Sequence, residues 1–447
     1  MAKKNKSVFI CSACDLKVSR WAGRCPGCGE SNTLAEGDSS SPEGRAPDIE
    51  VPEPRPASDY INAACERILL GEPEIDRTLG GGIVRGASML ICGIPGVGKS
   101  TLALSWAGKL AARGEAVIYL CGEEAPAMVA ERARRMGCLH ENLKLAETME
   151  VRNIGALIER QKPTLLVIDS LQTLRGGEEA EETRFGAGRG SMTEALSFLA
   201  DTCKQNASSL LAVGHLTKEG LIAGPRTIEH LVDCVLLFEP QGELDVRILR
   251  CTKNRFAACD EIGVFRMGSK GLVPVQDCGA LFWESRGRPP VPGSALCPVM
   301  EGGRVFLVEF QALVASSQFA TPTRKVSGYD PVRVAMIIAV LERRFGLQCG
   351  DMDIFVSVTG GFRVRDPGGD LAMTAAIASS ARNLPLDGAT AFFGEVGLAG
   401  EIRPCRGSEL RIRECNRLGL RSAGNLAGKA RTGFTCIEGV GDLMNAL

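Results

Sequence analysis

Residues Ala87–Cys92 (ASMLIC) run directly into Gly93-Ile94-Pro95-Gly96-Val97-Gly98-Lys99-Ser100-Thr101, and this stretch decides the fold. Its second part has the form G-x-x-x-x-G-K-[ST], a loop that curls so that successive backbone N–H groups face phosphate oxygens. The glycines leave room for the curl. Lys99 can reach the β- and γ-phosphates, and the Ser100 hydroxyl can complete the shell of a Mg²⁺ ion. The apolar run before the loop reads as a strand and Thr101–Arg113 after it as a helix, the context that this chemistry requires. Gly93 to Thr101 are therefore read as a nucleoside triphosphate site.

Downstream, apolar runs alternate with helical patterns. Ala116–Cys121 (AVIYLC), Leu165–Ile168, Ser209–Val213, Val235–Phe238 and Asp245–Cys251 read as strands, and Ala125–Met136 and Met192–Lys204 as helices. That alternation predicts an α/β fold with a parallel sheet covered on both faces. Asp169 ends the run LLVI and is placed to hold the Mg²⁺ shell. Glu123 and Glu124 follow the neighbouring strand, where a carboxylate can orient the attacking water; Glu123 is the first choice, and a helix N-terminal acid is the alternative. His215, at another strand end, can sense the γ-phosphate or be structural. Lys253 and Arg255 flank Asn254 on an extended segment and project to one side. They can lend charge to a triphosphate held by a neighbouring subunit, contact DNA phosphate, or form a solvated turn.

Upstream lie Cys11-Ser12-Ala13-Cys14 and Cys25-Pro26-Gly27-Cys28. Two C-x-x-C knuckles at short spacing supply four thiolates for a tetrahedral Zn²⁺, and so small a segment needs such a staple to fold. A pair of redox or disulfide motifs is the alternative. Trp21 and Arg24, between the knuckles, either pack over the site or meet nucleic acid. A Ser-, Pro- and Glu-rich stretch separates this module from the rest. The composition shifts again at Val273–Pro298, rich in Pro, Gly and Arg, and a further α/β pattern follows. The expected organisation is a zinc module at 1–34, a linker at 35–58, an ATPase domain at 59–280 and a C-terminal domain at 281–447.

The chain has 447 residues, 45% apolar and 23% charged, with a net charge of −1, so any nucleic-acid contact must come from local basic patches. Aromatics at 5% argue against binding that depends on many stacked bases. Many of the 18 cysteines sit in apolar runs (Cys92, Cys121, Cys234, Cys251), as reduced core thiols do. The apolar run Val8–Ile10 is too short for a signal peptide, and no run approaches the ~18 residues of a membrane span. A cytoplasmic protein without membrane association is expected.

Taken together, the four-cysteine module, GIPGVGKST, LLVIDSLQTL, GHLTKEG with IAGPRTIEHLVD, and KNRF resemble the bacterial RadA (Sms) family over nearly the whole chain. The resemblance implies a RecA-like P-loop ATPase core, an N-terminal zinc ribbon-type module and a C-terminal Lon-protease-like α/β domain. It also implies ATP, single-stranded and branched DNA, a recombinase partner, a homo-hexameric ring and branch migration of recombination intermediates in DNA repair. The family's phosphate-loop Lys falls on Lys99, its hydroxyl ligand on Ser100, its Mg²⁺ acid on Asp169, and the cations of its KNRFG motif on Lys253 and Arg255. Ala257 replaces the last Gly of that motif. Within 176–190, an acidic loop, Arg184 and Arg189 are the only cations available to DNA. In the C-terminal domain the segment resembling the loop of the Lon serine has Gly369 and Asp370 there. Glu409 stands at the position of the lysine, and no Lys occurs between Lys325 and Lys429. Without a Ser–Lys pair peptide hydrolysis lacks its nucleophile and base. This domain is therefore expected to be a proteolytically inactive scaffold offering Arg324, Lys325, Arg343, Arg344, Arg363 and Arg365 to DNA. An ATP-dependent protease and a regulatory ATPase acting on protein are the alternatives.

Overall fold

The computed structural model describes residues 8–14, 16–18, 20–37, 56, 66–176, 189–215, 228–241, 245–283, 285–318, 321–427 and 433–446. Arg184, Leu216–Lys218 and nearly all of the expected linker lie outside them, as does the side chain of Arg189. The described residues divide between a small N-terminal unit, within 1–64, and a large one, 65–447.

The small unit is a three-stranded antiparallel sheet in which β1 (Val8–Cys11) pairs with β2 (Lys17–Val18) and β3 (Leu34–Gly37). Val8 faces Gly37, so the module runs past its expected end at residue 34. Its core is only Cys11, Cys25 and Leu34, with Phe9 and Val18 against them. So little apolar area cannot offset the chain's ordering entropy without a cross-link.

The large unit opens with a small hairpin of β4 (Arg67–Ile68) and β5 (Ile83–Val84) around helix α1 (Pro73–Thr78). Then come β6 (Ser88–Gly93), α2 (Lys99–Ala112), β7 (Val117–Cys121), α3 (Pro126–Met136), β8 (Leu143–Ala146), α4 (Val151–Gln161) and β9 (Leu165–Asp169). Helix α5 (Arg189–Gln205), β10 (Ser209–His215), α6 (Ile228–Leu231) and β11 (Cys234–Gln241) follow, and β12 (Val246–Asn254), β13 (Ile262–Gly268) and β14 (Gly271–Pro274) complete a nine-stranded sheet. Its order is β14-β13-β12-β11-β6-β10-β9-β7-β8. The six strands from β8 to β11 are parallel, as the alternation predicts. The last three continue it antiparallel, which the alternation does not predict. The central strands are buried on both faces: β6, β7 and the first four residues of β9 have no exposed position. Helix α2 buries Leu102, Leu104, Trp106 and Leu110 against them, each contributing about 1.5–3 kcal/mol.

The C-terminal sheet has the order β17-β18-β16-β15-β19-β22-β23. Its strands are β15 (Ser294–Glu301), β16 (Arg304–Ser316), β17 (Arg324–Ser327), β18 (Met352–Val358), β19 (Thr390–Phe393), β22 (Arg421–Gly424) and β23 (Phe434–Cys436). The pair β20 (Glu395–Val396) and β21 (Ile402–Arg403) stands apart. Helices α7 (Pro331–Phe345), α8 (Asp370–Arg382), α9 (Ser408–Arg417) and α10 (Val440–Ala446) pack on the sheet and on one another. One apolar core holds Val246, Ile248, Ile262 and Val264 of the first sheet together with Phe282, Phe306, Phe310 and Phe362 of the second region. Buried Glu74 of α1 ties the two together: it pairs with Arg77 at 2.9 Å and with Arg304 at 2.6 Å, and accepts the Val264 N–H. Among the described residues no helix is long and apolar enough to cross a membrane.

Candidate active site

Parallel register brings the expected residues together. His215 faces Gly93 between β10 and β6, Val213 faces Asp169 between β10 and β9, and Cys121 faces Asp169 between β7 and β9. The C-terminal ends of four strands thus converge, and their polar residues meet. Between β6 and α2 the loop turns on Gly96 (φ +78°) and Gly98 (φ +106°), backbone angles that side chains with a Cβ resist. Gly98 caps α2 with no side-chain hydrogen bond, and the first turn of α2 carries no acid. An uncapped helix N-terminus behind a glycine loop is a ready anion site. A Cβ at Gly96 would meet nothing within 4 Å, so the outer side of the loop is open to a ligand.

Lys99 is buried, and its ammonium donates to the carbonyls of Gly93 (3.0 Å) and Ile94 (3.1 Å) and to His215 Nδ1 (3.2 Å). Burial lowers its pKa, opposed by Cys92, Asp169 and Glu123. His215 Nε2 lies 3.2 Å from Glu123 Oε1. His215 thus stands between the phosphate-loop lysine and Glu123, within hydrogen-bond reach of both. Glu123 also accepts from the Ser170 hydroxyl. That bond first, then His215 and Lys99, hold its carboxyl below the usual range against burial. Glu124 pairs instead with Arg132, and α3 begins after Ala125 with no side-chain cap. The N-capping alternative for Glu123 therefore falls away.

Asp169 accepts from Ser100 Oγ at 3.2 Å and from the Tyr119 hydroxyl at 2.5 Å. Burial raises its pKa, and these two donors pull it down. Ser100 and Asp169 thus meet as a hydroxyl and a carboxylate beside the phosphate loop, the oxygen donor set that suits Mg²⁺. Tyr119 escapes a reading of the sequence. Its only signal is a phenol inside a fully buried strand, where a polar tip needs a partner.

Lys253 and Arg255 are not brought to this cluster. Lys253 faces Val235 across β12 and β11, and Val235 faces Leu90 of β6. Both cations therefore sit toward the opposite end of the strands. Lys253 Nζ donates to the carbonyls of Glu229 (2.8 Å), His230 (3.3 Å) and Val232 (2.7 Å), and Arg255 pairs with Asp233 at 3.0 Å. The turn is further held by Asn254, which accepts from the Phe256 N–H and donates to the Leu79 carbonyl. Ala257 is not in the left-handed region, and its methyl lies where a Cβ on Gly80 (φ +74°) would stand. Alanine there is unstrained, and Gly80 supplies the close approach.

In the small unit, Cys11 and Cys28 Sγ are 3.7 Å apart and Cys14 and Cys25 Sγ 3.5 Å, all four within 4.8 Å of one another. Zinc–thiolate bonds of about 2.3 Å require tetrahedral edges of about 3.8 Å, so the four sulfurs fit Zn²⁺. The amides of Ala13 and Gly27 point at Cys11 and Cys25 sulfur. Trp21 donates to the Leu34 carbonyl and Arg24 to Ser31 within the module.

In the C-terminal domain Asp370 is buried and binds Arg333, the Tyr329 hydroxyl (2.7 Å) and the Val396 amide (3.1 Å). It is the hub of a structural ion pair. Arg324, Lys325, Arg343, Arg344, Arg363 and Arg365 are all exposed and have no ion-pair partner among the described residues, whereas Arg403, Arg411, Arg417 and Arg421 are paired.

This fold and site define a RecA-like P-loop ATPase that uses ATP and Mg²⁺ and carries a zinc ribbon. A family model described as AAA domain matches residues 61–220, and one described as rubredoxin metal binding domain matches 9–36. The DNA repair protein RadA of Escherichia coli is 39% identical over 100% of this chain and 99% of its own length. The proteins of that name from Aquifex aeolicus (39%, 94% and 93%) and Pseudomonas aeruginosa (39%, 97% and 96%) match similarly. The chain belongs to the RadA family, whose Lon-protease-like domain is the C-terminal region here.

Proposed function

We propose that this protein is a DNA-dependent ATPase of DNA repair. It binds single-stranded and branched DNA, works in the cytoplasm as a homo-hexameric ring beside a recombinase, and drives branch migration of recombination intermediates. The observation that carries the reading is the separation of the site. Lys99, Ser100, Glu123, Asp169 and His215 cluster at one end of the strands, while Lys253 and Arg255 stand toward the other. Such a split suits a ring in which each interface joins the triphosphate of one subunit to the cations of the next. The name of the relatives, and the exposed cations of the C-terminal domain that have no ion-pair partner among the described residues, support DNA as the partner.

On this reading Gly93–Thr101 cradle the phosphates, and Lys99 leaves its carbonyl partners to hold the β- and γ-phosphates. Ser100 and Asp169 hold Mg²⁺, which supplies neutralisation of the charge developing on the phosphate oxygens. Glu123, a carboxylate at neutral pH, accepts a hydrogen bond from the attacking water and orients it. His215 links Glu123 to Lys99, so engagement of the lysine by phosphate alters the hold on the base. Lys253 and Arg255 of the adjacent subunit stabilise the transferred group. Burial of Asp370 in an ion pair speaks against the protease alternative, since no hydroxyl nucleophile stands there. ATPase rate with and without single-stranded DNA, at low fixed salt, tests the reading. Stimulation lost in Glu123→Gln is expected, and a rate indifferent to DNA would overturn it.

A further inference from the structure

Two of the exposed cations of the C-terminal domain, Arg363 and Arg365, line a cleft of about 540 Å³ that opens beside the phosphate loop. Strand β18 ends at Val358, the chain turns through Gly360 and Gly361, both at φ +65°, and residues 362–366 then run extended. Phe362 and Val364 are buried there and Arg363 and Arg365 exposed, the alternation of an extended segment with one side on a core. The Val364 N–H donates to the Gly328 carbonyl at 2.8 Å, and Asp366 pairs with buried Arg411 at 2.7 Å, so the backbone of the segment is held in place. The facing wall belongs to the nucleotide site. Ile94, the second residue of the phosphate loop, lines the cleft, and its carbonyl holds the Lys99 ammonium at 3.1 Å. The floor is the end of β11, packed so closely under the loop that a Cβ on Gly93 would collide with the Phe238 carbonyl. Arg250 and Glu301, also in the cleft, neutralise each other in an ion pair. Glu239 on the floor, Arg363 and Arg365 have no ion-pair partner among the described residues, so the space beside the loop faces two free positive charges and one negative.

We propose that Arg363 and Arg365 are a nucleotide-state sensor: they bind the terminal phosphate of ATP held on the phosphate loop of the same chain, and they have no such partner when ADP is bound. The guanidinium group suits this task, because its planar fork offers paired donors to phosphate oxygens and it stays charged at any physiological pH. ATP and ADP differ by one phosphate, so a device that tells them apart needs a contact to that phosphate. Two free arginines on the wall that faces Ile94 supply one, and they belong to a different domain from the loop. Their place beside the loop favours a bound nucleotide over a DNA strand as the source of the phosphate. The same arginines border a hollow lined by Tyr329 and Arg333, the partners of buried Asp370. Arginines that turn to the nucleotide leave the neighbourhood of that ion pair, and the C-terminal domain thereby registers whether the site holds ATP. The inference uses only ATP binding at Gly93–Thr101 and goes beyond the DNA-dependent reading.

The test uses the full-length, zinc-loaded protein without DNA, at fixed Mg²⁺ and salt. A non-hydrolysable ATP analogue and ADP each compete with a fluorescent ADP derivative for the site. In the double variant Arg363→Ala/Arg365→Ala the analogue should bind roughly 10- to 100-fold more weakly, as for lost hydrogen bonds between charged groups, while ADP binds as it does to the wild type. In the unsubstituted protein the analogue, and not ADP, should shield Arg363 and Arg365 from phenylglyoxal, as read by mass spectrometry of the modified peptides. An unchanged ratio of the two affinities, whether both weaken or neither does, overturns the sensor. Equal modification of the two arginines under both nucleotides overturns it without recourse to a variant. Binding of single-stranded DNA to the double variant, measured without nucleotide, separates the other source of phosphate: a loss there with an unchanged nucleotide ratio assigns the pair to DNA. Neither the affinity ratio nor the protection contains a DNA-stimulated rate, so a failure of the DNA-dependent reading leaves both results standing.

Discussion

Replacing Tyr119 by Phe removes one hydroxyl from a fully buried side chain and leaves the ring packing intact. The hydroxyl donates to Asp169 Oδ2 at 2.5 Å, and Ser100 Oγ donates to Oδ1 of the same carboxylate. A hydrogen bond to a charged acceptor contributes about 1.5–3 kcal/mol. Its loss therefore raises the Asp169 pKa further. The sign follows from the bond's preference for the ionised form: burial already raises this carboxyl, and Tyr119 opposes the rise. Two results are expected in ATPase assays of Tyr119→Phe. The acid limb of the pH–rate profile moves to higher pH, and the Mg²⁺ concentration for half-maximal rate rises roughly 10- to 100-fold, as for loss of a partner of a metal-holding group. The rate at saturating Mg²⁺ and pH 8 changes little. A variant with unaltered Mg²⁺ titration and acid limb would refute the reasoning that Tyr119 tunes Asp169.

Metal analysis should find about one Zn²⁺ per chain, and Cys28→Ala should lose it; a Cys28→Ala protein that keeps its zinc contradicts the four-thiolate site. Asp370→Asn should lower stability by roughly 3 kcal/mol, the low end for a broken buried pair because Arg333 is 27% exposed; chemical denaturation measures this, and an unchanged midpoint argues against the hub. Lys253→Ala should bind ATP normally by nucleotide titration yet lose DNA-stimulated hydrolysis, and weakened ATP binding would contradict its place away from the phosphate loop.

The phosphate loop was legible because its chemistry is local in sequence: loop, preceding strand and following helix occupy adjacent residues. Asp169, Glu123 and His215 were legible because each ends an apolar run, and parallel register then sets strand ends side by side. Tyr119 was not, since only the pairing of β7 with β9 shows that its tip reaches Asp169. The antiparallel strands β13 and β14 were missed because they carry no helix between them to mark an alternation. Leu143–Ala146, an edge strand, is too short and mixed to stand out. The Pro-, Gly- and Arg-rich stretch at 273–298 reads as a boundary, yet Phe282 within it packs between Phe306 and Phe362 in the shared core. Composition reports average polarity and cannot show where one aromatic ring is placed.

The central claim is that each ATPase site is completed by the next subunit, and subunit mixing tests it most directly. Lys99→Ala lacks the phosphate lysine but keeps Lys253 and Arg255, and Arg255→Ala has the converse defect. Each alone should be inactive in DNA-stimulated hydrolysis. Mixed in equal amounts and allowed to exchange, about a quarter of the head-to-tail interfaces would pair an intact loop with an intact arginine, so activity should return toward that fraction of wild type. No recovery on mixing, with mixed assemblies verified by native mass spectrometry, would contradict the claim.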